Sequence, residues 1–160
     1  MKQITLLFLL IVQSAIAQNT LFNQVEAKNI GPTIMSGRVV DLAVNPKNPT
    51  EFYVAYATGG LWYTNNNGTS FSPVMDAAET VNCGSVTVDW NSGTIWVGTG
   101  EVNASRSSYA GVGVLKSSDK GKTWDNLGLK DSHHISRIWV NPSNLNEIVV
   151  AAVGHLYTTN

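Results

Sequence analysis

Ser117-Ser118-Asp119-Lys120-Gly121-Lys122-Thr123-Trp124 occurs a second time, in degenerate form, as Thr64-Asn65-Asn66-Asn67-Gly68-Thr69-Ser70-Phe71. Each copy sets an acid or amide (Asp119, Asn66) two residues before a glycine (Gly121, Gly68). A hydroxyl (Thr123, Ser70) and then an aromatic (Trp124, Phe71) follow that glycine. This is hairpin chemistry: the short polar side chain accepts hydrogen bonds from the turn's own backbone, the glycine takes a positive φ, and the aromatic returns the chain to the core. A repeated turn implies a repeated fold unit.

Working outward from the turns, three segments superimpose. Asp41 to Pro46, Ser85 to Trp90 and Arg137 to Pro142 each read as an apolar strand stopped by Asn or Asp and then Pro or Trp. A second strand follows each one: Phe52 to Ala57, Ile95 to Gly98 and Ile148 to Val153. In the first two units a third strand, Gly60 to Thr64 or Gly113 to Ser117, runs straight into the repeated turn, and a fourth begins at Phe71 or Trp124. The equivalent residues Asn45, Asp89 and Asn141 are 44 and 52 residues apart. Four strands per unit, joined up and down at that period, predict an all-β fold: a β-propeller of four-stranded antiparallel blades. The expected blades are about 38–76, about 82–129 and a partial third at 133–160. A ring closes with roughly four to eight blades, so about two and a half make an incomplete ring. The remaining blades are expected downstream of residue 160.

The turn resembles the Asp-box, or BNR repeat, of bacterial sialidases, the xyloglucanase family, photosystem assembly factors and the Vps10 domain of sortilins. A wider set of segments is similar to exported sortilin-like propellers of Bacteroidetes type: Asn29-Ile30-Gly31-Pro32, Ser36-Gly37-Arg38-Val39, Gly59-Gly60-Leu61-Trp62, Trp96-Val97-Gly98-Thr99-Gly100-Glu101, Asp131-Ser132-His133-His134-Ile135 and Gly154-His155-Leu156-Tyr157. The resemblance covers nearly all of residues 22–160 and implies an N-terminal propeller fragment. It also implies that the box residues Asn66, Gly68, Ser70, Phe71, Ser117, Asp119, Gly121, Thr123 and Trp124 are structural and lie on the outer rim. In the xyloglucanase family a catalytic aspartate sits two residues before a Gly-Gly pair in the first blade. The pair here is Gly59-Gly60 and the matching position is Ala57, which cannot transfer a proton. In sialidases an early arginine begins a cluster of three, within an arginine, isoleucine, proline motif. Here Arg38 is followed by Val39-Val40.

Composition limits the partners. Ten basic and eleven acidic residues leave a formal charge of -1, so no strong field favours nucleic acid or an anionic membrane. At the N-terminus, Lys2, an apolar run from Ile4 to Val12 and Ala15-Ile16-Ala17 form a secretory signal pattern, with cleavage expected after Ala17. Residues 18–37 are a lead-in segment, and no later stretch is long enough for a transmembrane helix. The mature chain is expected to be secreted or held at the cell envelope. Cys83 is the lone cysteine, so no disulfide forms within the chain, and it reads as a small buried residue.

Propeller ligands sit over the axis or in loops at one face. The longest connection, Glu101 to Gly111, carries a carboxylate, a guanidinium and a phenol: Glu101 and Arg106 as orienting charges, Tyr109 as a stacking surface. Arg38 opens the first inner strand and Arg137 the third, which His133 and His134 precede. Adjacent histidines on an extended chain point to opposite faces, so neither a metal nor any other cofactor is expected. The candidate ligand-binding residues are thus Arg38, Glu101, Arg106, Tyr109, His134 and Arg137, with no catalytic residue assigned. The favoured reading is a non-catalytic module that binds a protein, peptide or polysaccharide. The competing reading is part of a glycoside hydrolase whose catalytic carboxylates lie beyond residue 160.

Overall fold

The computed structural model describes residues 37–103 and 108–155. The expected signal peptide, residues 18–36 of the lead-in and Arg106 lie outside the described residues.

Two four-stranded antiparallel sheets and a two-stranded one follow each other along the chain. The first blade is β1 (Val39–Val44), β2 (Phe52–Tyr56), β3 (Gly60–Thr64) and β4 (Ser72–Pro73). The second is β5 (Cys83–Asp89), β6 (Thr94–Thr99), β7 (Val114–Ser117) and β8 (Asp125–Asn126). After a single 3-10 turn at Lys130–Ser132 come β9 (Ile135–Asn141) and β10 (Asn144–Ala152). In each sheet sequence order is spatial order, the up-and-down pattern of a propeller blade. The described residues form an incomplete ring of two blades and the first hairpin of a third.

The outer strands β4 and β8 are two residues long and begin one residue after the aromatic rather than on it. Trp124 has another use: its Nε1 donates to the carbonyl of Val74 in the preceding blade, 3.0 Å away. In β4, Pro73 supplies no N–H to extend the ladder.

Strand alternation builds the inter-blade cores. Register pairs Leu42 with Val54, Val86 with Val97 and Ile138 with Val150 on one face of each sheet; Ala43 with Tyr53, Thr87 with Trp96 and Trp139 with Val149 share the other. The first face turns to the preceding blade: Val86 and Val97 pack with Tyr53, Ala55 and Leu61 of blade one, and Ile138 packs with Trp96 and Val114 of blade two. The second turns to the following blade. Val86 and Ile138 are therefore buried, while Leu42, with no preceding blade among the described residues, is 53% exposed. Thr87 and Trp96 are covered, and Trp139 and Val149 stand 58% and 66% exposed. Leu42, Trp139 and Val149 thus stand open where no described blade covers them, although Val54, the partner of Leu42, is itself buried.

Both copies of the repeated turn fold alike. Asp119 accepts from the Thr123 N–H at 2.9 Å and the Thr123 hydroxyl at 2.7 Å, and Ser117 Oγ donates to it at 2.8 Å while accepting the Gly121 N–H at 2.8 Å. Asn66 takes the Ser70 N–H at 3.0 Å, and Thr64 plays the part of Ser117. Positive φ is not confined to the glycine: Asn67 at 58° and Lys120 at 62° precede Gly68 at 80° and Gly121 at 89°. Two successive left-handed residues reverse the chain so that one side-chain acceptor can reach the N–H groups on the far limb.

Candidate functional site

Up-and-down topology carries the start of β1, the end of β6 and the start of β9 to one end of the inner strands. Backbone bonds sew that end together. Ala57 N donates to Arg38 O (2.8 Å), Gly100 N to Asn82 O (2.9 Å), Gly111 N to His133 O (2.7 Å) and Val153 N to His134 O (2.8 Å). Gly84 sits where the chains are closest: a Cβ there would collide with the carbonyl oxygens of Gly100 and Ile135. Only a residue without a side chain lets the second and third blades approach so closely.

Into this mouth project four of the six expected binding residues. Glu101 is fully buried and grips Arg38 bidentately, with Nε to Oε1 at 2.6 Å and Nη2 to Oε2 as the second bond. The Arg38 side chain remains 48% exposed. Bidentate pairing is what a planar guanidinium does best, and Glu101 holds the Arg38 pKa above its usual value, chiefly through this hydrogen bond. Glu101 thus presents no surface of its own to a ligand and positions Arg38. Its N–H donates to Tyr109 O at 3.3 Å, and Tyr109 is 56% exposed.

His134 is 3% exposed, and its Nδ1 has no hydrogen-bond partner among the described residues. Burial holds its pKa below the ordinary imidazole value, against an opposing hydrogen bond with the Glu101 backbone. The expectation that His133 and His134 point to opposite faces of an extended chain does not hold in its premise. His133 closes the 3-10 turn at φ 54°, and the two rings lie 6.3 Å apart. His133 instead packs against His155, ring centroids 3.7 Å apart and planes tilted by 32°. Among the described residues no three His, Cys, Asp or Glu side chains are grouped to hold a metal ion.

Arg137 reaches across to blade one, where Nη1 lies 3.2 and 3.3 Å from the Asp41 carboxylate oxygens. Asp41 Oδ2 also accepts the Val86 N–H at 3.0 Å, so one side chain ties all three blades. Asp41 was not singled out by sequence. The signal was present, because Asp41, Ser85 and Arg137 are the first residues of the three superimposed segments, where an acid and a base at matching positions can meet across the axis. Ser85 Oγ, between them in blade order, is buried with no partner among the described residues.

Asp119 sits away from this mouth, in the turn at the opposite end of its blade. The Thr123 N–H, then the Thr123 and Ser117 hydroxyls, lower its pKa to about 2. Ala57 is fully buried, with its N–H and C=O spent on Arg38 and Cys83.

Comparison with protein-family models gives no match, and neither does comparison with curated proteins. Among solved structures, an ancestral GH74 enzyme is similar, with 20% sequence identity and a TM-score of 0.55 over 74% of this chain. The similar region is 16% of that enzyme's chain. At this identity the likeness is one of fold, and it fits the β-propeller read from the sheets. Among the described residues no helix is long and apolar enough to cross a membrane.

Proposed function

We propose that this chain is the first part of an exported, non-catalytic Asp-box propeller of sortilin-like type. It binds a protein, peptide or glycan at the cell envelope through the mouth framed by Arg38, Tyr109 and His134, with the Arg137 to Asp41 tie beside it. The observation that carries this reading is the state of Glu101. The mouth's fully buried carboxylate is locked onto Arg38 and cannot reach a glycosidic oxygen, whereas the half-exposed guanidinium and the exposed phenol offer charge and a stacking face. The paired turns support the Asp-box reading: in each, a side-chain acceptor before a two-residue left-handed reversal takes an N–H from the limb after it. The bare faces of Trp139, Val149 and Leu42 support further blades, since each repeats a surface that is covered between the described blades.

A second reading is favoured by the likeness to the GH74 enzyme: a glycoside hydrolase whose acid and base lie beyond residue 160. Such an enzyme needs two carboxylates flanking the scissile bond, and Ala57 stands at the position the xyloglucanase resemblance assigns to one. The two readings separate when the full-length secreted protein is assayed against xyloglucan, other polysaccharides and sialosides. Saturable binding without turnover is expected. Turnover abolished by substitution of a single carboxylate overturns the binding-module reading. Mass spectrometry of the exported protein tests the leader, with a mature N-terminus at Gln18 as the expected result.

A further inference from the structure

We propose a second binding site, for a neutral saccharide, in the cleft between the first two blades on the face opposite the mouth. The cleft has a volume of about 280 Å³ and is lined by Asn45, Glu51, Trp90, Asn91, Ser92 and Lys120, with Tyr53 behind them. Its position follows from topology: the β1–β2 turn, the β5–β6 turn and the second box all lie at the end of the blades away from Arg38. The box itself delivers Lys120, whose left-handed backbone turns it out of the β7–β8 reversal so that its stem lies against Gly93.

The chemistry of the lining selects the ligand. Glu51 is fixed by two neutral donors, the Tyr63 hydroxyl at 2.6 Å and Asn45 Nδ2 at 2.7 Å, and makes no ion pair among the described residues. Each carboxylate oxygen keeps further acceptor capacity. Lys120 adds an ammonium donor, and Asn45, Asn91 and Ser92 add amide and hydroxyl groups. Trp90 is half-buried and braced by Tyr53, ring centroids 5.5 Å apart, which holds the indole as a firm stacking face. A singly charged ligand meets one repulsion for each attraction to Glu51 and Lys120, and a small zwitterion, which could pair with both, has no C–H ring face to lay on the Trp90 indole. A neutral polyhydroxylated ring meets no such penalty: its hydroxyls donate to Glu51 and accept from Lys120 in charge-assisted bonds, while its C–H face lies on the indole.

The test is a titration of the full-length protein with methyl β-glucoside, maltose and cellobiose. Tryptophan fluorescence and saturation-transfer NMR are the readouts, with glucuronate, glucosamine and diglycine as charged comparators. Saturable binding of at least one neutral sugar is expected, with weaker binding of all three comparators. Glu51→Gln and Lys120→Asn should each lower affinity about tenfold, the loss of one charge-assisted hydrogen bond. Lys120→Asn keeps the turn intact, because Asn67 holds the same left-handed position in the first box, so it remains decisive if Glu51→Gln fails to fold. No saturable binding of the neutral sugars, comparators that bind as tightly as they do, or unchanged affinity in the folded Lys120→Asn variant overturns the proposal.

Discussion

Replacing Gly121 by alanine separates two roles of the repeated turn. Gly121 has φ +89°, and a Cβ there would lie 2.6 Å from the Val74 carbonyl oxygen and 2.7 Å from the Val74 Cβ. Gly128 has φ +98° and nothing within 4 Å of the same position. Both substitutions force an L-residue into left-handed backbone, at about 1 kcal/mol. Both also stiffen the unfolded chain to a similar degree, which cancels between them. Only Gly121→Ala must push back Val74, the residue that follows β4 in the preceding blade. That carbonyl accepts the Trp124 Nε1 hydrogen bond across the blade boundary, whose loss costs about 1 kcal/mol. Over-packing against the Val74 Cβ adds about 1 kcal/mol more. Gly128→Ala is therefore expected to destabilise by about 1 kcal/mol and Gly121→Ala by about 3 kcal/mol. Urea unfolding followed by tryptophan fluorescence measures both. Equal losses in the two variants would refute the reasoning, because the box would then be a free-standing hairpin rather than a clamp on the preceding blade.

Glu101→Gln keeps the shape but removes the charge beneath Arg38, and a loss of about 2 kcal/mol is expected in the same unfolding assay, moderated because Arg38 can rehydrate; no change would mean the pair is incidental. Acidification should lower stability steadily. Asp119, depressed to about 2, contributes stability that is complete above the ordinary carboxylate range and lost as pH falls toward 2. His134, also depressed, acts with the same sign, its share present above the ordinary imidazole range and lost as pH falls through its folded value. Melting temperature against pH, with Asp119→Asn flattening the acid limb, checks this, and a rise in stability below pH 4 contradicts it. Cys83, fully buried with its thiol pushed up to about 12 by burial, should resist a disulfide-exchange reagent in the native protein and react fully once unfolded; prompt native labelling would contradict its core placement.

The box was the most recognisable string in the chain, and its recognisability came from architecture. Asp119 satisfies its own turn through residues within four positions of itself, and interactions that local can be read from spacing. The inner-strand pattern was equally legible, because alternation along a strand depends only on which faces are covered. The candidate site was legible in part. Arg38, Glu101, Tyr109 and His134 do converge, since all were read from the ends of strands that the topology gathers. Their states were not legible. Whether Glu101 faces solvent or Arg38 depends on a residue 63 positions away, and the Asp41 to Arg137 tie spans 96. The extended-chain premise for the two histidines failed for the same reason: packing against His155 and the close of the 3-10 turn fixed the backbone of His133.

What the sequence alone determined is the repeating unit: strand, turn, strand, turn, with the box as its marker and apolar residues alternating along each strand. Those are contacts between near neighbours, and residue type and spacing suffice to specify them. The tertiary structure decided which charges meet, which faces stay bare, and that a cleft between two blades gathers Glu51, Trp90 and Lys120. Those outcomes depend on how one blade sits against the next, a relation written in shape and close approach, as at Gly84, rather than in any local string.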